Sequence, residues 1–230
     1  METFLGRQNS AETLPASSGG GSFAELLDHF ESIGDSCEFG ALQKLNGVDQ
    51  MALFKWTEVP LACLAELIDA DLAGVDAAEN FDVRLEERRD APFEYMIDHR
   101  LLQSPMHTFV KEGRFTAEEV KERERRRLAI LRRKFLEDAA AARRIYVYRS
   151  LAPRDVGDVA NVLRALRRLG PNRLLFVRPP DAEIAAAEVR IEAPGFAIGA
   201  LDDLAIYEAS TAIRSTMWPH LLRRALAALR

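Results

Sequence analysis

Between Ile145 and Pro179 the chain reads strand, helix, strand, and this order constrains the fold more than any other feature. IYVYRS (145–150) is rich in β-branched and aromatic residues, DVGDVANVLRALRRLG (155–170) carries a helical apolar period closed by Gly170-Pro171, and RLLFVRP (173–179) returns to strand formers. The spacing predicts a parallel crossover, because two strands joined through one helix pair side by side in the same direction.

The flanking segments extend this pattern. FAELLDHF (23–30) is amphipathic and leads into Ser32-Ile33-Gly34, a short extended piece. A helix is expected from Ser36 or Cys37 through Leu45, ending near Asn46-Gly47. MALFKW (51–56) reads as a strand, and a helix over 58–72 follows, with Thr57 as cap and Pro60 in its first turn. FDVRLEE, FEYMI and RLLQS predict short antiparallel strands, with Asp98-His99 as a hairpin loop. Thr116 to Glu119 form a capping box opening a long helix, whose Val120, Leu128, Leu131 and Phe135 make a core-facing stripe. VRIE and FAIG are weak strands, and a last helix covers 216–229. The fold class expected is α/β: a mixed sheet with parallel strand-helix-strand crossovers, a short antiparallel portion, and helices packed on the sheet.

Residues 1–22 end in ASSGGGS, too small and polar to bury apolar surface, and read as a disordered leader before one domain over 23–230. ERERRR (122–127) looks basic, but Glu119 with Arg123 and Glu122 with Arg126 stand in i,i+4 register, the pattern of a solvated face. The formal net charge is −5, against nucleic acid as the main partner. No apolar run approaches the roughly 20 residues of a membrane span, and the amino terminus lacks a secretion pattern, so a cytoplasmic protein is expected. No phosphate loop, EF-hand or zinc spacing occurs, and neither a metal nor another cofactor is expected.

Chemistry concentrates in SIGDSCEFG (32–40). Gly34 and the helix that follows place Ser36 and Cys37 at a first turn, where unpaired amides and the helix dipole favour an anion, either a thiolate or an oxyanion. Gly34-Asp35-Ser36 resembles the first block of the SGNH hydrolases, but those carry Asp three residues before a histidine. Here Leu26, Met96, Ser104 and Met217 precede His29, His99, His107 and His220, so Ser36 is better read as a helix cap. Cys37 could equally be a small packing residue. Among its possible partners, His29 and His99 read as solvent positions and His220 lies beside Pro219, whereas His107 opens an extended segment. Cys63, in PLACLAELI, reads as buried packing, and Trp56 and Trp218 as core or rim aromatics.

SIGDSCEFG, LFKW, HTFVKEG and the Arg-rich helix ending in RRIYVYR together resemble, over about Ser32 to Val177, the bacterial family of papain-like cysteine peptidases, some of whose members accompany glycosyltransferase and cell-surface polysaccharide functions. The resemblance implies a Cys37–His107 dyad, with Phe54 and Trp56 as the family's aromatic segment and Arg149 as its strand-end basic residue; these three, together with Ser36, are the expected substrate-binding residues. The chain departs from the family pattern at Lys55 and Thr108, where an Asp is common. It also departs from true papains at Glu31, six residues before the cysteine, where those enzymes hold a glutamine.

The function expected is a thiol-dependent hydrolase or acyl transferase acting on a peptide, acyl or glycan substrate. The alternative is a non-catalytic α/β accessory domain that binds a sugar or protein partner in surface-polysaccharide assembly.

Overall fold

A computed structural model of the 230-residue chain describes residues 22–88, 91–205 and 213–230. The chain runs α1 (Phe23–Asp28), β1 (Phe30–Ser32), α2 (Glu38–Leu45), α3 (Leu61–Asp69), β2 (Phe81–Arg88), β3 (Ala91–His99), β4 (Ser104–Lys111), α4 (Ala117–Ala140), β5 (Ile145–Arg149), α5 (Val156–Leu169), β6 (Arg173–Arg178), β7 (Val189–Ala193), β8 (Phe196–Ala200) and α6 (Trp218–Leu229). The fold is α/β. One sheet has the order β1-β5-β6-β8-β7, parallel except for the β7–β8 hairpin, and β2-β3-β4 form a separate antiparallel sheet.

Strand alternation sorts side chains to the two faces of the larger sheet. Tyr146, Tyr148, Leu174, Phe176 and Ile198 pack with α3, α4 and α5, while Ile145, Val147, Leu175, Val177 and Ala197 pack with α1, α2 and α6. The expected crossover is β5-α5-β6, and the expected stripe of α4 is buried at all four positions. Thr116 and Glu119 make both bonds of the capping box. Glu122 pairs with Arg126 at 2.6 Å, whereas Glu119 is taken up by the box rather than by Arg123.

Several local expectations change. MALFKW is not a strand: Leu53 to Trp56 are turns, and Leu53, Phe54 and Lys55 are buried in succession, which a two-sided strand edge would not give. The helix expected over 58–72 shrinks to α3. Thr57 bonds back to Phe54 O instead of capping, and Asp71 and Leu72 take left-handed φ of 53° and 55°, which ends the helical path. The hairpin loop is Arg100 to Gln103 rather than Asp98-His99, so β3 runs through His99, and RLLQS, expected as a strand, is turn until β4 begins at Ser104. His99 is buried, not solvated: Nε2 lies 2.8 Å from Val75 O, Nδ1 accepts from Leu102 N–H, and the ring stands edge-on to Phe81. Burial pushes its pKa down, holding it neutral. Residues 1–21 of the expected leader lie outside the described residues, while Ser22 caps α1 through a capping box with Glu25.

Candidate active site

The parallel strands β1 and β5 end side by side, and the loop after β1 crosses there into α2. Gly34 makes the crossing possible. Its φ is +135°, and a Cβ at this position would stand 2.2 Å from Cδ2 of Tyr148. Asp35 is then gripped by Arg154 at 3.1 Å and by the hydroxyl of Ser150, tying the β1–α2 loop to the β5–α5 loop. Ser36 Oγ accepts from Glu38 N–H at 3.1 Å, which satisfies one first-turn amide of α2. Cys37 is the N-cap residue, already helical in φ and ψ, and its carbonyl accepts the first bond of the helix, from Ala41.

Behind this turn sits a buried ion pair. Arg149 Nε is 2.9 Å from Glu38 Oε2, and Glu38 also accepts from Trp218 Nε1 and Ala205 N–H. Arg149 in turn donates to Ala205 O. Burial pushes the Glu38 carboxyl up and the Arg149 guanidinium down, so desolvation outweighs their mutual attraction. The pair therefore acts as a strut that fixes the first turn of α2 against the 201–205 segment.

The opposite wall is β4. On β3, Glu94 pairs with Lys111 and Met96 with His107, so Tyr95 alone faces Thr108, Phe109 and Val110. This bulge puts Phe109 at φ +57°, a strained value for a non-glycine residue. Glu94, 1% exposed, fills the gap: Oε1 accepts from Phe109 N–H at 3.0 Å and lies 3.3 Å from His107 Nδ1, and Oε2 meets Lys111 Nζ at 3.5 Å. The imidazole is therefore oriented by a buried carboxylate and stacked on Phe109 at 5.6 Å. That is how a general base is held in place.

The two walls meet along α2. Cys37, Gly40, Ala41 and Lys44 fall on one helical face at 3.6 residues per turn. Gly40 lets the 53–57 segment press on that face, since a Cβ there would be 2.6 Å from Lys55 O. One turn further, Lys44 Nζ lies over Trp56 at 5.7 Å and over Phe109 at 5.5 Å, and Trp56 meets Phe109 edge-on at 5.8 Å. Phe109 stacks on His107, so the face of α2 that begins with Cys37 looks toward the wall that carries His107. Glu58 N–H donates to Ser104 Oγ at 2.9 Å, which anchors the 53–58 segment to the start of β4.

The residues singled out from the sequence separate into two groups. Trp56 and His107 both contact Phe109, and Ser36 and Cys37 open α2, the helix whose Lys44 lies over the same Phe109 ring. Phe54 is fully buried, edge-on to Phe135 in the core, and Arg149 is the internal strut, 5% exposed. Cys63 belongs to the larger apolar cluster, its Sγ 2.9 Å from Leu101 O and its thiol pushed up by burial; Cys37, 5% exposed, is in neither of the two large clusters. Sequence reasoning missed Glu94 and Lys44. Glu94 lies in a strand-like FEYMI, where a lone glutamate reads as a solvent-facing position, and Lys44 reads as an ordinary last-turn cation.

Among the described residues no cluster of three metal-type side chains occurs, and no helix is long and apolar enough to cross a membrane. Comparison with protein-family models, with curated proteins and with solved structures gave no match.

Proposed function

We propose that the chain is a thiol-dependent hydrolase or acyl transferase in which Cys37 is the nucleophile, His107 the general base and acid, and Glu94 the group that positions His107. The observation that carries this reading is the Glu94–His107 pair, held in a strained bulge on the wall that the Cys37 face of α2 looks toward. A buried carboxylate on one imidazole nitrogen sets the tautomer and leaves the other nitrogen to exchange a proton with a nucleophile. The resemblance to papain-like peptidases would imply the same dyad.

In this reading His107 takes the Cys37 thiol proton and Sγ attacks a carbonyl carbon, forming a C–S bond. The leaving group departs with the proton from His107. Water, or a second acceptor, then loses a proton to His107 and attacks the thioester; the acid or transferred acyl product leaves and the thiol is restored. Ser36 already holds the Glu38 amide, so the amides of Cys37, Phe39 and Gly40 are the remaining first-turn donors for the oxyanion.

A second reading, a non-catalytic domain that binds a sugar or protein partner, is favoured by one observation: Cys37 is only 5% exposed. Acyl trapping separates the two. With p-nitrophenyl acetate and mass-spectrometric peptide mapping, the enzyme reading expects a transient acetyl group on Cys37, absent in Cys37→Ala and slow to appear in His107→Ala. An acetylation pattern confined to surface lysines, with Cys37 unmodified, would leave the non-catalytic reading standing.

A further inference from the structure

We infer that Lys44 is a specificity-determining residue, and that the substrate is a peptide segment carrying a carboxylate about 10 Å from the carbonyl that Cys37 attacks. The inference rests on the proposed thiol chemistry and names the class of substrate it would take.

The rim of the candidate site holds Phe109, 53% exposed, Trp56, half-buried, and Lys44, exposed. A pair of accessible aromatic rings often marks a stacking platform for a flat sugar, but here the rings are already engaged. Phe109 stacks on His107 with an interplanar angle of 24°, Trp56 meets it edge-on at 79°, and Lys44 Nζ lies over both rings. What the rim offers a ligand is the ammonium group. Among the described residues Lys44 has ring contacts and no carboxylate partner, whereas the neighbouring Lys55 and Lys111 pair with Asp49 and Glu94. Aromatic rings hold the cation in place without neutralising it, so an arriving carboxylate meets a full positive charge.

Position supplies the ruler. Seven residues of α2 separate Lys44 from Cys37, about 10 Å along the axis at 1.5 Å per residue, and both lie on one face. An extended peptide advances about 3.3 Å per residue, so its acidic side chain would stand about three residues from the attacked carbonyl. The bulged strand β4 opposite supplies the second wall.

Trp56 provides the readout, since Trp218 is fully buried and contributes a constant background. Acetyl-Ala-Ala-Ala-Glu-amide and acetyl-Ala-Ala-Ala-Gln-amide are titrated into full-length Cys37→Ala protein by tryptophan fluorescence. The Glu peptide is expected to bind about tenfold more tightly, a gap of about 1.4 kcal/mol, and adding Lys44→Gln is expected to bring the two peptides to the same affinity. Equal affinities in the Lys44 protein, a preference that survives Lys44→Gln, or Lys44-dependent binding of galacturonate without binding of the Glu peptide would each overturn the inference. Because binding is read without the thiol, failed acetyl trapping with an intact Glu preference would sink the reaction alone. Normal trapping with no preference would sink this inference alone.

Discussion

Glu94→Gln is expected to lower the turnover of an activated ester by about a hundred- to ten-thousandfold, the range in which a positioned acid–base group contributes. Glutamine keeps an oxygen to accept from Phe109 N–H, so the bulge can persist while the charge beside His107 Nδ1 is lost. The imidazolium formed during attack then lacks its counter-ion. Glu94→Asp retains the charge and is expected to recover part of the rate. Circular dichroism and urea unfolding monitor the fold, because Glu94 is buried. An unchanged rate would make Glu94 a filler of the bulge and nothing more.

Arg149→Ala is expected to cost about 3–5 kcal/mol of stability, the usual penalty for leaving one half of a buried ion pair uncompensated. Glu38 would keep Trp218 Nε1 and Ala205 N–H as partners but lose its only described counter-charge at 2.9 Å. The double variant Glu38→Gln/Arg149→Met removes both charges but keeps an acceptor for only one of those two donors, which bond different carboxylate oxygens, so part of the loss should be regained. Urea unfolding of Glu38→Gln, Arg149→Met and the double variant measures the coupling directly. Additive losses would show that the pair is not the strut described above.

Where local signals and burial agreed, the sequence was readable. β5, α5 and β6 combine strand composition, a cap at Asp155, an apolar period and a terminating glycine, and all of these point the same way. MALFKW failed because its burial comes from tertiary contact: Gly40 admits the Lys55 backbone, and nothing within six residues can report that approach. The hairpin was misplaced because His99 reads as a polar turn residue, whereas Val75 O and Leu102 N–H make a dry slot for it. At the candidate site, Cys37 and His107 carry the chemistry in their own names. Glu94 acquires its role only through the β3–β4 register, and Lys44 only through rings contributed by two other segments.

The pH dependence of cysteine alkylation tests the central claim, that Cys37 and His107 form a thiol site, without knowledge of any substrate. Iodoacetamide labelling is followed from pH 5 to 10 with each thiol assigned by mass spectrometry. Burial and the nearby Glu66 carboxylate push the Cys63 thiol up, so Cys63 should stay silent through neutral pH. The account predicts that Cys37 labels rapidly already at neutral pH, and that His107→Ala restores the slow, steeply rising profile of an ordinary thiol. Equal and slow labelling of both cysteines at neutral pH, unaltered by His107→Ala, would contradict it and leave SIGDSCEFG as a strand-to-helix junction alone.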